Sequence, residues 1–342
     1  MLKKMFHWIN YMGYVGKNFS SHAKKQFIKD FKFVREKKRM SSIALFSDVL
    51  SSSIKNNMSP LEFFKLRLYD KSAEERSEYI SARVLRKFQL QMNPAQECTV
   101  ISDKIKFLAH FKDLIKRNWA SVETLRQDKS LAEAFLNDEK GKIVLKNSRG
   151  MSGKQVKVVE TKQLNVPDLI TLMEENNFDL AEEFIIQHDT LMNIAPRGLN
   201  TIRVISQLQN EEVIIIGACL KLSIYESVDN LNSGNVAMPV ELESGIVTDA
   251  GIFLDITKDD LKKHPLTGID IIGFQVPFWK ECIEIVKKGA LLTPNNRSIG
   301  WDVAVTNNGP LLIEGNHNWG HDIWQMAYRK GFKKLIFQYM NN

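Results

Sequence analysis

Gly300-Trp301-Asp302-Val303-Ala304-Val305-Thr306-Asn307-Asn308-Gly309-Pro310-Leu311-Leu312-Ile313-Glu314-Gly315-Asn316 reads as a β-hairpin, because two apolar runs flank Asn307-Asn308-Gly309. Gly309 is expected to supply the left-handed residue of a three-residue loop. In that register Thr306 faces Pro310 and, counting back along both strands, Asp302 faces Glu314. Side chains directly opposed across an antiparallel pair have Cβ atoms roughly 4.5–5.5 Å apart, where like charges repel. Asn316, two residues beyond Glu314, shares its face. Two carboxylates and an amide converging on one spot make an oxygen-donor site of the kind Mg²⁺ takes together with substrate phosphates. The competing reading is an exposed acidic face relieved by solvent or a lysine. Val303, Val305, Leu311 and Ile313 make the opposite face apolar, and Trp301 and Leu312 argue for surroundings that are not fully open.

Upstream, Lys142–Lys146 reads as a strand, Asn147 to Gly153 as a loop carrying Arg149, Gly150, Ser152 and Gly153, and Gln155–Val159 as a second strand. Glycines at 150 and 153 let backbone N–H groups approach an anion, with Lys146 entering from the preceding strand. It is not a P-loop: Ser148 stands where the first glycine is needed, and no helix follows. An ordinary surface turn is the plainer alternative. Its pairing with a candidate Mg²⁺ site gives it weight, since nucleotide phosphates bring both elements together.

Between and around these hairpins, short β-branched runs alternate with turn signals at 180–186, 200–208, 213–222 and 235–240. Helical patterns fall at about 103–116, 129–139, 166–176, 276–288 and 322–340, and throughout 19–92. Ser59-Pro60 starts one of these, and the Ser72/Glu75 capping box is expected to open a long helix running to about Gln91. Tight turns at 208–213 and 306–310 indicate antiparallel pairing, so the body is α+β. Residues 1–95 form a basic helical region and 96–342 the body, with subdomains at about 140–190 and 195–330.

The chain's 342 residues are 44% hydrophobic and 25% charged, enough for one large or two medium domains and incompatible with disorder. Its apolar stretches are far shorter than the roughly 20 residues a membrane helix needs. Net charge is +7, but residues 1–40 hold eleven basic and two acidic residues, so that segment is +9 and the other 302 sum to −2. Phe6, Trp8, Tyr11 and Tyr14 interleave there with Lys3, Lys4 and Lys17. A helix packing one face on its own domain, an anionic membrane surface and nucleic acid compete for this arm, with nucleic acid the least expected. Cys98, Cys219 and Cys282 are too widely spaced for zinc or a disulfide framework. They read as core cysteines in a reducing, cytoplasmic setting, peripheral to the membrane if the arm binds it.

These parts follow a known order: lysine strand and glycine loop, Ala181-Glu182-Glu183-Phe184-Ile185, Asn200-Thr201-Ile202-Arg203-Val204, Lys221, then Asp302, Glu314 and Asn316. The order resembles the ATP-grasp superfamily, in which two α+β subdomains with antiparallel sheets grip ATP. Gln187-His188, Leu199–Arg203, Val228-Asp229-Asn230 with Gly234, and Gly300-Trp301-Asp302 narrow the resemblance to the sugar-transfer-associated branch, found with polysaccharide biosynthesis. It covers roughly 100–330.

The resemblance implies that ATP is bound by Lys104 (or Lys106), Lys146 and Lys221, under a lid of Arg149, Gly150, Ser152 and Gly153. Glu182, Glu183 and Ile185 would lie at the adenine hinge, with Asp189 or His188 at the ribose. Asp302, Glu314 and Asn316 would hold Mg²⁺. Arg203, with Lys146 and Lys221, would act in catalysis, and Asn200, Arg203, Asp229, Asn230 and His317 would meet substrate. Two departures stand out. The family's usual N-terminal α/β domain is replaced by a helical region, and His317-Asn318-Trp319-Gly320-His321 replaces the proline-glycine that often follows the metal-binding asparagine. His317 and His321 are four apart, a metal spacing on a helix, though Asn318 and Gly320 favour a substrate-facing loop.

The implied activity is an ADP-forming carboxylate–amine ligase. Its acceptor would be a uronic-acid glycan or sugar precursor, its co-substrate an amino acid or other amine. A phosphotransferase on the same fold and a non-catalytic glycan- or membrane-binding module are the alternatives.

Overall fold

The computed structural model describes residues 20–150, 155–224 and 234–340. Among them, nine strands divide between two antiparallel sheets. The smaller contains β1 (Trp119–Ser121), β2 (Lys142–Lys146), β3 (Val156–Glu160) and β4 (Leu180–Glu183), in the order β1-β4-β2-β3. The larger contains β5 (Thr201–Gln209), β6 (Glu212–Leu222), β7 (Val236–Pro239), β8 (Ser298–Thr306) and β9 (Gly309–Asn316), in the order β7-β6-β5-β8-β9. The α+β reading holds.

Alternation along the strands gives the large sheet two different faces. Ile202, Val204, Ala218, Leu220, Trp301, Val303 and Val305 point to one side and bury against the Trp279–Leu292 helix and the aromatic pair Phe107 and Phe111. The other side carries Arg203, Lys221, Asp302 and Glu314, and beside them Ile205, Ile216 and Cys219. Those apolar neighbours are covered by the N-terminal helices through Phe63, Phe64, Leu85 and Phe88, and by Trp319, Trp324 and Met326 near the C-terminus. The helical region thus shares its core with the polar face of the sheet. The small sheet packs its own core of Ile143, Leu145 and Ala181 against helices Val122–Gln127, Lys129–Leu136 and Val166–Glu175.

Three expectations about local structure need correction. The Ser72/Glu75 capping box forms, but its helix spans only Ala73–Ser77, and a second begins after Ser81 and runs Ala82–Met92. Between them Tyr79 and Ile80 are buried, and the Ile80 backbone exchanges hydrogen bonds of 2.9 Å with the Gln325 amide, so tertiary contacts divert the chain.

The 306–309 turn has two loop residues instead of three, with Thr306 paired to Gly309 (φ 101°) and Val305 to Pro310. A one-residue shift between Asp302 and Val303 then restores the register, so that Asp302 faces Glu314 after all. The extra residue is Ile313, and in consequence Leu312, paired with Val303, joins the core in its place.

Strand β1 and helices Thr99–Ser102, Val122–Gln127 and Asp189–Ile194 add elements too short to read from periodicity. All three cysteines are free and buried. No helix among the described residues is long and apolar enough to cross a membrane.

Candidate active site

The register places four side-chain positions in one transverse row across β6, β5, β8 and β9: Cys219, Arg203, Asp302 and Glu314. Arg203 grips Asp302 with both arms of its fork, Nε to Oδ1 at 2.7 Å and an Nη to Oδ2 at 2.9 Å. Lys221, one row along, puts its Nζ 3.2 Å from the same Oδ2. Burial alone would raise the Asp302 carboxyl, but the two cations outweigh it and hold it well below the usual carboxylate range.

Glu314 sits in the opposite situation. Burial and then the neighbouring Asp302 charge push its carboxyl up, with Arg203 and Lys221 offsetting only part. It accepts from the Asn316 amide at 3.2 Å and is half-buried. A hard divalent cation would supply the positive charge this carboxylate lacks. Asp302, Glu314 and the Asn316 side-chain oxygen are the donor types Mg²⁺ prefers, so the residues fit that ion. Gly300, opposite Asn316, must lack a side chain: a Cβ there would stand 2.7 Å from Trp319 Cβ and 3.2 Å from Arg203 Cδ.

The small sheet contributes a second charged cluster. Lys146 at the end of β2 places Nζ 2.7 Å from Glu182 Oε1 on neighbouring β4, and Arg117 Nε lies 2.6 Å from Glu182 Oε2. Burial would raise Glu182, yet these two cations lower it to about 2. Lys104, first residue of the Lys104–His110 helix, reaches the carbonyls of Ser148 and Gly150 in the glycine loop at 3.3 and 2.5 Å. Burial lowers its pKa, Glu314 and Glu182 pull it back, and Lys146 pushes it further down. Lys104 therefore touches the glycine loop and feels the charges of Lys146, Glu182 and, from the large sheet, Glu314. Lys106 lies elsewhere, lining a separate surface pocket with His110 and Asn296.

Arg117 carries no sequence signal, being one basic residue in a Lys116-Arg117-Asn118 run. It is almost fully buried and also donates to the carbonyls of Leu312 (2.6 Å) and Ile313 (3.3 Å), the two residues at the irregularity in β9. One guanidinium thus ties the Lys146–Glu182 pair to the segment that sets Glu314 opposite Asp302.

The remaining expected residues are placed less directly. Glu183 pairs with Lys140 and accepts from the Asn118 backbone at 2.9 Å, and Ile185 is half-buried on the connection leaving β4. His188 caps the Asp189–Ile194 helix by accepting from Thr190 N, while the exposed Asp189 is held by Asn307 Nδ2 at 3.0 Å. Arg149 is exposed. Ser152, Gly153, Asp229 and Asn230 lie outside the described residues.

Asn200, expected to meet substrate, is fully buried. Its Nδ2 donates to Gln187 Oε1 and Ala195 O at 3.0 and 2.8 Å, and its Oδ1 accepts from Ser223 N at 2.9 Å. With its polar atoms engaged in this way, it acts as a strut beneath β5 and offers nothing to a ligand. His317 is half-buried, and its carbonyl accepts from Asn93 Nδ2 at 2.8 Å. His321 opens a helix and turns to Glu62 Oε1 at 3.0 Å, so it pairs with a carboxylate from the N-terminal region rather than with His317. No cluster of three or more His, Cys, Asp or Glu suited to a metal occurs among the described residues.

Two antiparallel sheets that bring a lysine and glycine loop against a strand pair with an Asp/Glu/Asn set have the architecture of the ATP-grasp fold. The chain belongs to the sugar-transfer associated ATP-grasp family, whose model matches residues 83–340. Solved structures similar to it include a D-alanyl-alanine synthetase A from Vibrio cholerae, at 13% identity and TM-score 0.43, covering 72% of this chain and 66% of the other. An L-amino acid ligase from Bacillus licheniformis is 12% identical with a TM-score of 0.41, covering 71% and 48% respectively. The D-alanine-D-alanine ligase of Helicobacter pylori is 15% identical with a TM-score of 0.40, covering 72% and 60%. The chain thus spans between about half and two thirds of the length of these structures. A search of curated proteins gives no match.

Proposed function

We propose that the protein is an ATP-dependent carboxylate–amine ligase that acts through an acyl phosphate and joins an amino acid or other amine to a uronic-acid glycan or its precursor. The observation that carries this reading is the row Arg203–Asp302–Glu314, flanked by Lys221, with Lys104 close enough to Glu314 to feel its charge and Lys146 close enough to Lys104 to do the same. Such a set suits a reaction whose difficulty is concentrated negative charge. The family's association with sugar transfer supports a glycan acceptor.

In the first step an acceptor carboxylate oxygen bonds to the γ-phosphorus of ATP, the bond to the bridging oxygen breaks, and ADP leaves. In the second the amine nitrogen bonds to the acyl carbon, the carbon–oxygen bond to phosphate breaks, and the amine's surplus proton passes to water. Lys146, aimed by Glu182, and Lys104 neutralise the phosphates. Arg203 and Lys221 stabilise the acyl phosphate and the tetrahedral intermediate. Asp302, Glu314 and Asn316 would hold Mg²⁺, which would supply charge neutralisation for the phosphoryl group.

No protein nucleophile is needed. The one thiol in the row, Cys219, is pushed up to about 12 by burial and is inert at neutral pH. The acceptor is bounded by the 317–319 loop, which Gln89 and Asn93 of the N-terminal region hold through Trp319 O (2.7 Å) and His317 O (2.8 Å).

The test is incubation with Mg·ATP, amino-acid pools and uronic-acid glycans, with ADP and phosphate both measured. Equal release dependent on both substrates is expected. ADP without phosphate would instead identify a phosphotransferase. ATP binding without turnover in any pool, or no binding at all, counts against the ligase reading.

A further inference from the structure

We propose that the Ser21–Lys38 helix and the corner that follows it form a docking surface for an anionic membrane. The inference is independent of the ligase reading. The helix's inner face is already satisfied: Val34 is buried, and Phe27 and Phe31 pack on Phe64 with ring centroids 5.6 and 6.3 Å away. Three of its cations are also accounted for, Lys29 by Asp255, Lys38 by Asp70 and Arg35 by Glu36.

What remains is cationic. Lys24, Lys25, Lys32, Lys37 and Arg39 have no carboxylate partner among the described residues, and all five are exposed. Ile28, 52% exposed, lies one helical turn from Lys24, Lys25 and Lys32 and therefore in their midst. At the corner, Arg39 takes a left-handed conformation, and Ile43 in the first turn of the next helix is 84% exposed. A solvated surface has no use for Ile28 bare among lysines or for Ile43 bare beyond Arg39. A nucleic-acid backbone would engage the cations and leave both isoleucines in water. A lipid surface uses both, with phosphate headgroups meeting the lysines and the isoleucines entering the headgroup–acyl boundary.

The experiment is sedimentation of the full chain with vesicles of phosphatidylcholine alone and of phosphatidylcholine mixed with phosphatidylglycerol. Binding is expected to the mixed vesicles alone and to weaken as salt rises. Lys24→Ala, Lys25→Ala and Lys32→Ala together should lower partitioning on the order of a hundredfold, since each cation near the surface contributes roughly fivefold. Ile43→Ser should lower it several-fold at a salt concentration where the lysines alone are screened. All these positions are exposed, so the thermal midpoint and ATP binding are expected to be unchanged, which separates lost docking from lost folding. Equal sedimentation with both vesicle types, or an unchanged triple variant, would overturn the proposal. So would duplex DNA binding that rivals the vesicles and is indifferent to Ile43→Ser.

Discussion

Asp302 and Glu314 face each other across β8 and β9 and are ionised under opposite pressures. Asp302 lies in the fork of Arg203 with Lys221 at 3.2 Å, whereas Glu314 has the Asn316 amide and the charge of Asp302 itself. The two substitutions that would each remove a metal ligand should therefore move stability in opposite directions. Without divalent cations, Asp302→Asn is expected to cost about 3–5 kcal/mol, because it withdraws the charge two buried cations face. Glu314→Gln relieves a like-charge contact and should be neutral or stabilising by up to about 1 kcal/mol. Urea denaturation in chelator reads this sign difference. Both variants should lose at least about a hundredfold in Mg²⁺-dependent turnover, the scale of losing one charge-stabilising group.

Arg117 bridges the two sheets, with Glu182 on one side and the carbonyls of Leu312 and Ile313 on the other. Arg117→Met should destabilise by about 3–5 kcal/mol, the cost of opening a buried ion pair. Arg117→Lys keeps the charge but not the fork, and should fold while raising the KM for ATP and the Mg²⁺ needed for half-maximal rate together. If Arg117→Lys changed stability alone and left both kinetic quantities as they were, Arg117 would be structural only.

How much of this was visible in the sequence depends on the range of the contacts involved. The opposition of Asp302 and Glu314 follows from strand alternation, yet the three-residue loop used to reach it is absent. The turn is one residue shorter, and the extra residue at Ile313 compensates, since buried pairing across β9 fixes the register more strongly than the turn does. The Lys142–Lys146 strand and the Ser59 and Ser72 caps are local and were readable as such. Asn200 is assigned to substrate by the resemblance that the Leu199–Arg203 motif carries, but its saturation by Gln187, Ala195 and Ser223 is a fact of tertiary packing. Arg117 was invisible for the same reason. Apart from the neighbouring Ile115 carbonyl, its partners Glu182, Leu312 and Ile313 come from segments 65 or more residues away, and no spacing rule reaches that far.

Glu182 links the position of Lys146 to acid stability. Its folded pKa is about 2 against an ordinary 4.5, so the stabilisation it confers is complete above pH about 4.5 and is lost as pH falls toward 2. Glu182→Gln should accordingly be markedly less stable than the parent at pH 7, and the gap should narrow steadily between pH 4.5 and 3. Thermal midpoints of both proteins across that window provide the check. A gap independent of pH would mean that the Arg117 and Lys146 contacts do not depend on the Glu182 charge.

Gly300 is the place where packing and chemistry constrain one another most tightly. A methyl group there meets Trp319 Cβ at 2.7 Å and Arg203 Cδ at 3.2 Å, and Trp319 is itself fixed by Gln89 and by Ser298 Oγ at 3.2 Å. Trp319 is buried against Phe88 and Trp324 and has little room to retreat. The more yielding neighbour is the Arg203 side chain, which must shift its fork on Asp302. Gly300→Ala is expected to cost about 1–3 kcal/mol by overpacking. It should also lower kcat more than it raises the KM for ATP, since Arg203 is assigned to the acyl phosphate and not to the nucleotide. Steady-state kinetics on a variant that still unfolds cooperatively decides the matter. A change confined to the KM for ATP would remove Arg203 from that role.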